Sequence, residues 1–156
     1  MKKRILAILT ALALCLSGVW GSGLETRAED AGEDIDFSYL QTDDALIGYA
    51  NMQTWGVYLL EGYSIINRIS TTKIGAGGVT NATVKCKVAV VPIVERLSNG
   101  TWDYVTSWSV TESSAYSAMA SKSITVGTGY YYRVRCTHYA ASDVSSSWTG
   151  ALWMGN

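Results

Sequence analysis

Period-2 alternation of apolar and polar positions is clearest from Gly129 to Ala140. Tyr130, Tyr132, Val134, Cys136, His138 and Ala140 fall on one face and Tyr131, Arg133, Arg135, Thr137 and Tyr139 on the other. This predicts a half-buried β-strand whose first, mostly apolar face meets a core. Two arginines at consecutive outward positions then need water or an anionic partner. The same alternation runs through Ala82 to Leu97, with Val84, Cys86, Val88 and Val90 inward and Lys85 and Lys87 outward, up to Ser98-Asn99-Gly100-Thr101. Asn-Gly between two β runs signals a hairpin. Its partner is Trp102 to Glu112, with Trp102, Tyr104, Trp108 and Val110 on the heavier face. Pro92 removes a ladder donor, which predicts an edge or a bulge at that point.

Elsewhere the pattern is weaker. Residues 45–60 carry Tyr49, Met52, Trp55, Tyr58, Leu59 and Leu60 without clean alternation and predict one or two short strands. Ile65 to Ile74 predicts another, ending at Gly75-Ala76-Gly77-Gly78 as a turn or bulge. Neither a Gly-Lys-Ser/Thr nor a helix follows, so the run is not a phosphate loop. Ser113 to Ser121 reads as polar and loose, Lys122 to Val126 as a short strand, Ser142 to Ser147 as a loop, and Trp148 to Met154 as the last strand. No stretch after Ala45 repeats apolar residues at helical spacing, so the fold class is all-β. A sheet with one apolar face must bury it against another layer, and the expectation is a single antiparallel β-sandwich of about seven strands. Tyr132-Arg133-Val134-Arg135 after a Gly turn also resembles the penultimate strand of fibronectin type III domains, which implies immunoglobulin- or fibronectin-like packing.

The N-terminus reads differently. Lys2, Lys3 and Arg4 precede an apolar run from Ile5 to Val19, and Thr26-Arg27-Ala28 offers small residues for cleavage. That is the pattern of a secretory signal peptide over residues 1–28, cut after about Ala28. The run is shorter than the roughly 20 residues a membrane-spanning helix needs, so the expectation is a secreted chain with no membrane span. Cys15 follows Leu14, where a lipidation signal would want a small residue. Removing residues 1–28 takes away Lys2, Lys3, Arg4, Arg27 and Glu25, which leaves 8 basic against 12 acidic residues. Seven of those acids lie in residues 29–44 with no basic residue among them, which reads as a flexible acidic leader. Residues 45–156 are then net +3 and form one domain.

Cys86 and Cys136 remain after cleavage, each in the apolar set of its own strand. In an exported chain a disulfide between them is the expectation, the alternative being two buried free thiols. Closing a loop of that length would contribute about 4 kcal/mol by the chain-entropy relation.

His138 is the only histidine, so any hydrolase triad or zinc site must use it. Its inward parity, the absence of a Gly-x-Ser-x-Gly elbow and the want of further ligands beyond Cys136 favour a buried, hydrogen-bonded core residue. No cofactor motif and no metal-ligand spacing occur, so no catalytic or metal residue is assigned. Glu61, Glu95, Asp103, Glu112 and Asp143 are the acids of the folded part, none paired in sequence, and leave a carboxylate-based hydrolase as a third reading. Trp and Tyr supply 6 and 10 residues against a single Phe. Amphipathic rings of this kind suit stacking platforms for sugars or interface anchors, as well as cores. The outward set Tyr131, Arg133, Arg135 and Tyr139 is the candidate ligand-binding surface, joined by Lys85 and Lys87 if the two strands are neighbours. Arginine forks bind phosphate and carboxylate, whereas an excess of +3 without a binding motif disfavours nucleic acid.

Glu95-Arg96-Leu97, Asn99-Gly100-Thr101-Trp102, Ser107-Trp108, Gly129-Tyr130-Tyr131-Tyr132-Arg133-Val134, His138 and Thr149-Gly150 together resemble a family of small secreted proteins of Gram-positive bacteria, known as a domain of unknown function. The resemblance spans residues 45–156 and implies a setting, not an activity. That family tends to have a small residue where this chain has Cys136. The functional expectation is a secreted, non-catalytic protein that binds cell-surface polysaccharide, another envelope component or a protein partner. A bacteriocin-like or host-directed effector is the main alternative.

Overall fold

The structure is a computed structural model that describes residues 44–50 and 56–155. The expected signal peptide and residues 29–43 of the acidic leader lie outside the described residues. Eight strands follow one another: β1 (Leu46–Tyr49), β2 (Leu59–Ser70), β3 (Lys73–Ser98), β4 (Thr101–Ser107), β5 (Val110–Thr125), β6 (Tyr130–Ala140), β7 (Asp143–Trp148) and β8 (Leu152–Met154). Among the described residues no helix is long and apolar enough to cross a membrane.

All pairings are antiparallel and join the eight strands into one sheet through β3. The N-terminal half of β3, Lys73 to Asn81, lies between β2 and β5. Its C-terminal half pairs with β6 on one side and with β5, then β4, on the other. Between these halves the β3–β5 register slips at Asn81/Cys86 and again at Cys86/Val88. The sheet curls nearly into a barrel, so that β2 packs against β6 and β7, and β1 against β7, without sharing a ladder. This corrects the expected seven-stranded sandwich: the second layer that buries the apolar face is the same sheet folded over. Ile66, Ile74 and Ala76 meet Val88, Val90, Val94, Tyr132, Val134, Cys136 and Met154 across the enclosed core.

Two turns follow the residues that make them. Asn99 and Gly100 both have positive φ, 50° and 82°, which is the mirror-image turn that the Asn-Gly pair favours. It sets Ser98 opposite Thr101. The β2–β3 turn, by contrast, is Thr71-Thr72, and Gly75 to Gly78 lie inside β3 rather than at its end. Close approach explains Gly78. A Cβ there would collide with the Cys136 sulfur and sit 2.9 Å from the Tyr63 carbonyl oxygen, so a glycine in mid-strand lets β6 come down onto β3.

Other expectations are corrected as well. Residues 113–121 are not loose but belong to β5, where buried Ala118 and Ala120 alternate with exposed Ser117 and Met119. Residues 143–147 belong to β7, paired with β6 across a turn in which Ala141 has φ 51°. Val84, expected inward, is exposed in the stretch where the β3 ladder is interrupted.

The disulfide is absent: Cys86 and Cys136 are free cysteines. Register gives the reason. Cys136 stands opposite Pro92, six residues along β3 from Cys86. That is on the order of 20 Å of strand, against the 7 Å limit on Cα separation for a bridge. The Cys136 thiol lies 3.5 Å from the Gly77 carbonyl, and burial pushes its pKa up. Reduction should therefore leave the mass of the purified protein unchanged. Thiol labelling of the folded protein should reach the half-buried Cys86 well before the buried Cys136, which should react fully only on denaturation. A loss of 2 Da on oxidised samples, about two protons per bridge, would contradict this register.

Candidate functional site: the outer face of β6

Alternation along β6 buries Tyr132, Val134, Cys136, His138 and Ala140 and turns Tyr131, Arg133, Arg135, Thr137 and Tyr139 outward. The four candidate binding residues thus share one face. Tyr130, expected inward, is exposed at the strand start, under the Arg96 guanidinium at 4.6 Å.

Residues directly opposite one another in an antiparallel pair project to the same side. Opposite Arg133 stands Glu95 of β3, and opposite Arg135 stands Trp148 of β7. Trp153 of β8 is opposite Tyr131, their ring centroids 4.8 Å apart. On the far side of β3, Tyr104 pairs with Glu95 and Trp102 with Leu97. The outer face therefore gathers six rings from four strands, and five of these are exposed, from 40% for Tyr139 to 67% for Tyr104. Tyr131 and Tyr139 belong to this face by the alternation of β6 alone, whereas Trp102, Tyr104, Trp148 and Trp153 join it only through the pairing of other strands. Their period-2 parity was readable. The registers that bring them beside β6 were not.

At the centre, the largely buried Glu95 carboxylate accepts from Arg133 Nε at 2.7 Å and from Arg135 Nε at 3.4 Å. A buried carboxylate requires such partners. Each arginine in turn loses freedom, and the Arg133 guanidinium lies 4.2 Å from the Trp102 ring centroid. Two cations sharing one anion leave a small positive excess and free guanidinium donors on a rigid platform. Between β7 and β8, Thr149 repairs the ladder: its N–H donates to the Val134 carbonyl at 2.9 Å and its Oγ1 accepts from the Val134 N–H at 3.0 Å.

At the other end of the face the outer side of β3 opens into a pocket of about 340 Å³. Lys87, Ala89 and Val91 form one side, Ser109 and Thr111 another, and Tyr139 and Ala141 a third. Lys87 thus joins the candidate face. Lys85 does not, lying 5.9 Å from the Tyr116 ring.

His138 is fully buried on the inner side, with Gly62 against its ring. Thr80 Oγ1 is 2.9 Å from Nδ1 and Ser147 Oγ is 2.8 Å from Nε2; Ser147 Oγ is in turn 3.1 Å from Ser64 Oγ. A serine at that distance from a histidine would be a nucleophile and base on an open surface. Here Ser147 and His138 are both sealed from solvent, and both ring nitrogens are engaged by hydroxyls. The group serves packing. Among the acids, Glu61 accepts from Asn81 Nδ2 at 3.2 Å, and Asp143 accepts from the backbone N–H groups of Tyr58 and Leu59 at 2.6 and 3.0 Å. Glu112 and Asp143 share a row but stand three strands apart, about 14 Å, beyond the spacing of glycosidase carboxylates.

No family model, no curated protein and no solved structure matches the chain.

Burial holds the His138 pKa down at about 4, from an ordinary 6.5. The unfolded chain therefore takes up the proton first. Stability from this site should be full above about pH 6.5 and fall as the pH drops toward 4, by about 3 kcal/mol in all. Urea unfolding of parent and His138→Gln at pH 7 and pH 4.5 measures it. The variant should be weaker at pH 7 and lose less on acidification. Equal losses in both would contradict the assignment.

Proposed function

We propose that this protein is an exported, non-catalytic binding module whose site is the outer face of β6, and that its ligand is a polysaccharide of the cell surface or envelope. One observation carries the reading: five exposed rings surround two carboxylate-anchored arginines on a single rigid sheet face. Sugar rings present apolar C–H faces that stack on aromatic rings, and hydroxyls that accept hydrogen bonds from guanidinium and donate them to carboxylate. Side chains held on strands need little further ordering on binding. From Tyr131 to Tyr139 the face extends eight residues, about 26 Å, a span that suits a polymer better than a single small molecule. The resemblance to small secreted proteins of Gram-positive bacteria makes a wall polymer the polysaccharide at hand. The same platform could anchor a protein, as an effector would require, and cell killing without wall binding would favour that reading.

Sedimentation with insoluble cell wall and purified polysaccharides, across a salt series, tests the proposal. Because Glu95 offsets much of the arginine charge, binding should survive salt better than an uncompensated cationic face would. Trp148→Ala and Tyr131→Ala, both at exposed positions, should each weaken binding by about tenfold with unchanged unfolding midpoints. Failure of the parent to bind any wall or polysaccharide would overturn the reading.

A further inference from the structure

We propose that the pocket at the Tyr139 end of this face is a subsite for an anionic substituent of the polymer, a carboxylate or a phosphate. The inference rests on the glycan reading and gives the ligand a chemical class. The pocket combines an apolar floor, Ala89 and Val91, with one exposed ring, Tyr139, two hydroxyl-bearing side chains, Ser109 and Thr111, and one cation, Lys87. Its volume of about 340 Å³ lies within the range of small-ligand sites. A sugar laid on the floor and against Tyr139 would bring a charged substituent toward the ammonium, with the hydroxyls donating to its remaining oxygens.

Charge placement makes the pocket selective. The ion pairs among the described residues both go to Glu95, so no carboxylate there lies within 4 Å of the Lys87 ammonium. Glu95 is held by two arginines, Glu61 by Asn81, and Asp143 by backbone N–H groups. Asp103 stands opposite Arg96 near the far end of β3. Glu112 is opposite Val88, whose inward parity is the reverse of that of Lys87 and Ala89. The arginines present a shared and partly neutralised charge, whereas among the described residues the Lys87 ammonium shares its charge with no carboxylate. An oxyanion is the complement of an unshared ammonium flanked by hydroxyls. A neutral hydroxyl gains much less from it.

Isothermal titration with three soluble polymers tests this: a uronic acid polymer, a polyol phosphate polymer and a neutral glucan. Parent, Lys87→Gln and Lys87→Arg are compared, the exposed position keeping their unfolding midpoints alike. The parent should bind at least one acidic polymer about tenfold more tightly than the neutral one. Lys87→Gln should erase that preference, and Lys87→Arg should retain it. Which acidic polymer is preferred identifies the substituent. If the preference is absent in the parent, or survives in Lys87→Gln, the subsite is overturned and the glycan reading stands. If the parent binds none of the three, both fall.

Discussion

The length of β3 is the constraint from which the rest of the structure follows. Its 26 residues would extend to about 86 Å if straight, far beyond the roughly 13 Å radius of gyration of a domain of this size. It cannot run straight through a single core. Where its ladder with β5 slips, between Asn81 and Val88, the two halves of the sheet part direction and one comes to face the other. One strand thereby supplies both walls of the core, Ile74 and Ala76 from one half and Val88, Val90 and Val94 from the other.

Closing the curl demands close approach and polar satisfaction in the same place. Small residues admit the opposing wall, as Gly78 does for Cys136 and Gly62 for His138. The imidazole then links Thr80 of β3 to Ser147 of β7, and Ser147 to Ser64 of β2. β2 and β7 share no ladder, so this hydroxyl–imidazole chain is a directional tie between them. Burial of each of these groups would be costly without the others. With the inner side fully engaged, the alternation of β6 leaves its other side to Arg133, Arg135 and the rings. The candidate site is the outward half of the same pattern that builds the core.

Much of this was legible in the sequence, and what was not has identifiable causes. The parity of β6, the Asn99-Gly100 hairpin, the all-β class and the shared face of Tyr131, Arg133, Arg135 and Tyr139 all followed from spacing. β5 was hidden because its buried positions are alanines, Ala118 and Ala120, which carry little hydrophobic signal. β7 was hidden because its buried position Ser147 is polar and satisfied by His138. Gly75 to Gly78 resembled a turn because glycine marks close approach as well as chain reversal. The disulfide arithmetic counted cysteines without a register, and the register set them apart. The same gap concealed Glu95, Trp148 and Trp153, whose place beside β6 depends on pairing between strands.

The central claim, that the outer face of β6 is a glycan platform, is tested most directly by following the indole N–H signals in a two-dimensional nitrogen–proton spectrum as polysaccharide is added. Trp148 and Trp153 stand exposed on that face, whereas Trp108 packs against the core. The Trp148 and Trp153 indole signals should move progressively with ligand while that of Trp108 stays in place. Movement confined to Trp108 or to the backbone amides of β1 and β2, or none at saturating polymer, would contradict it.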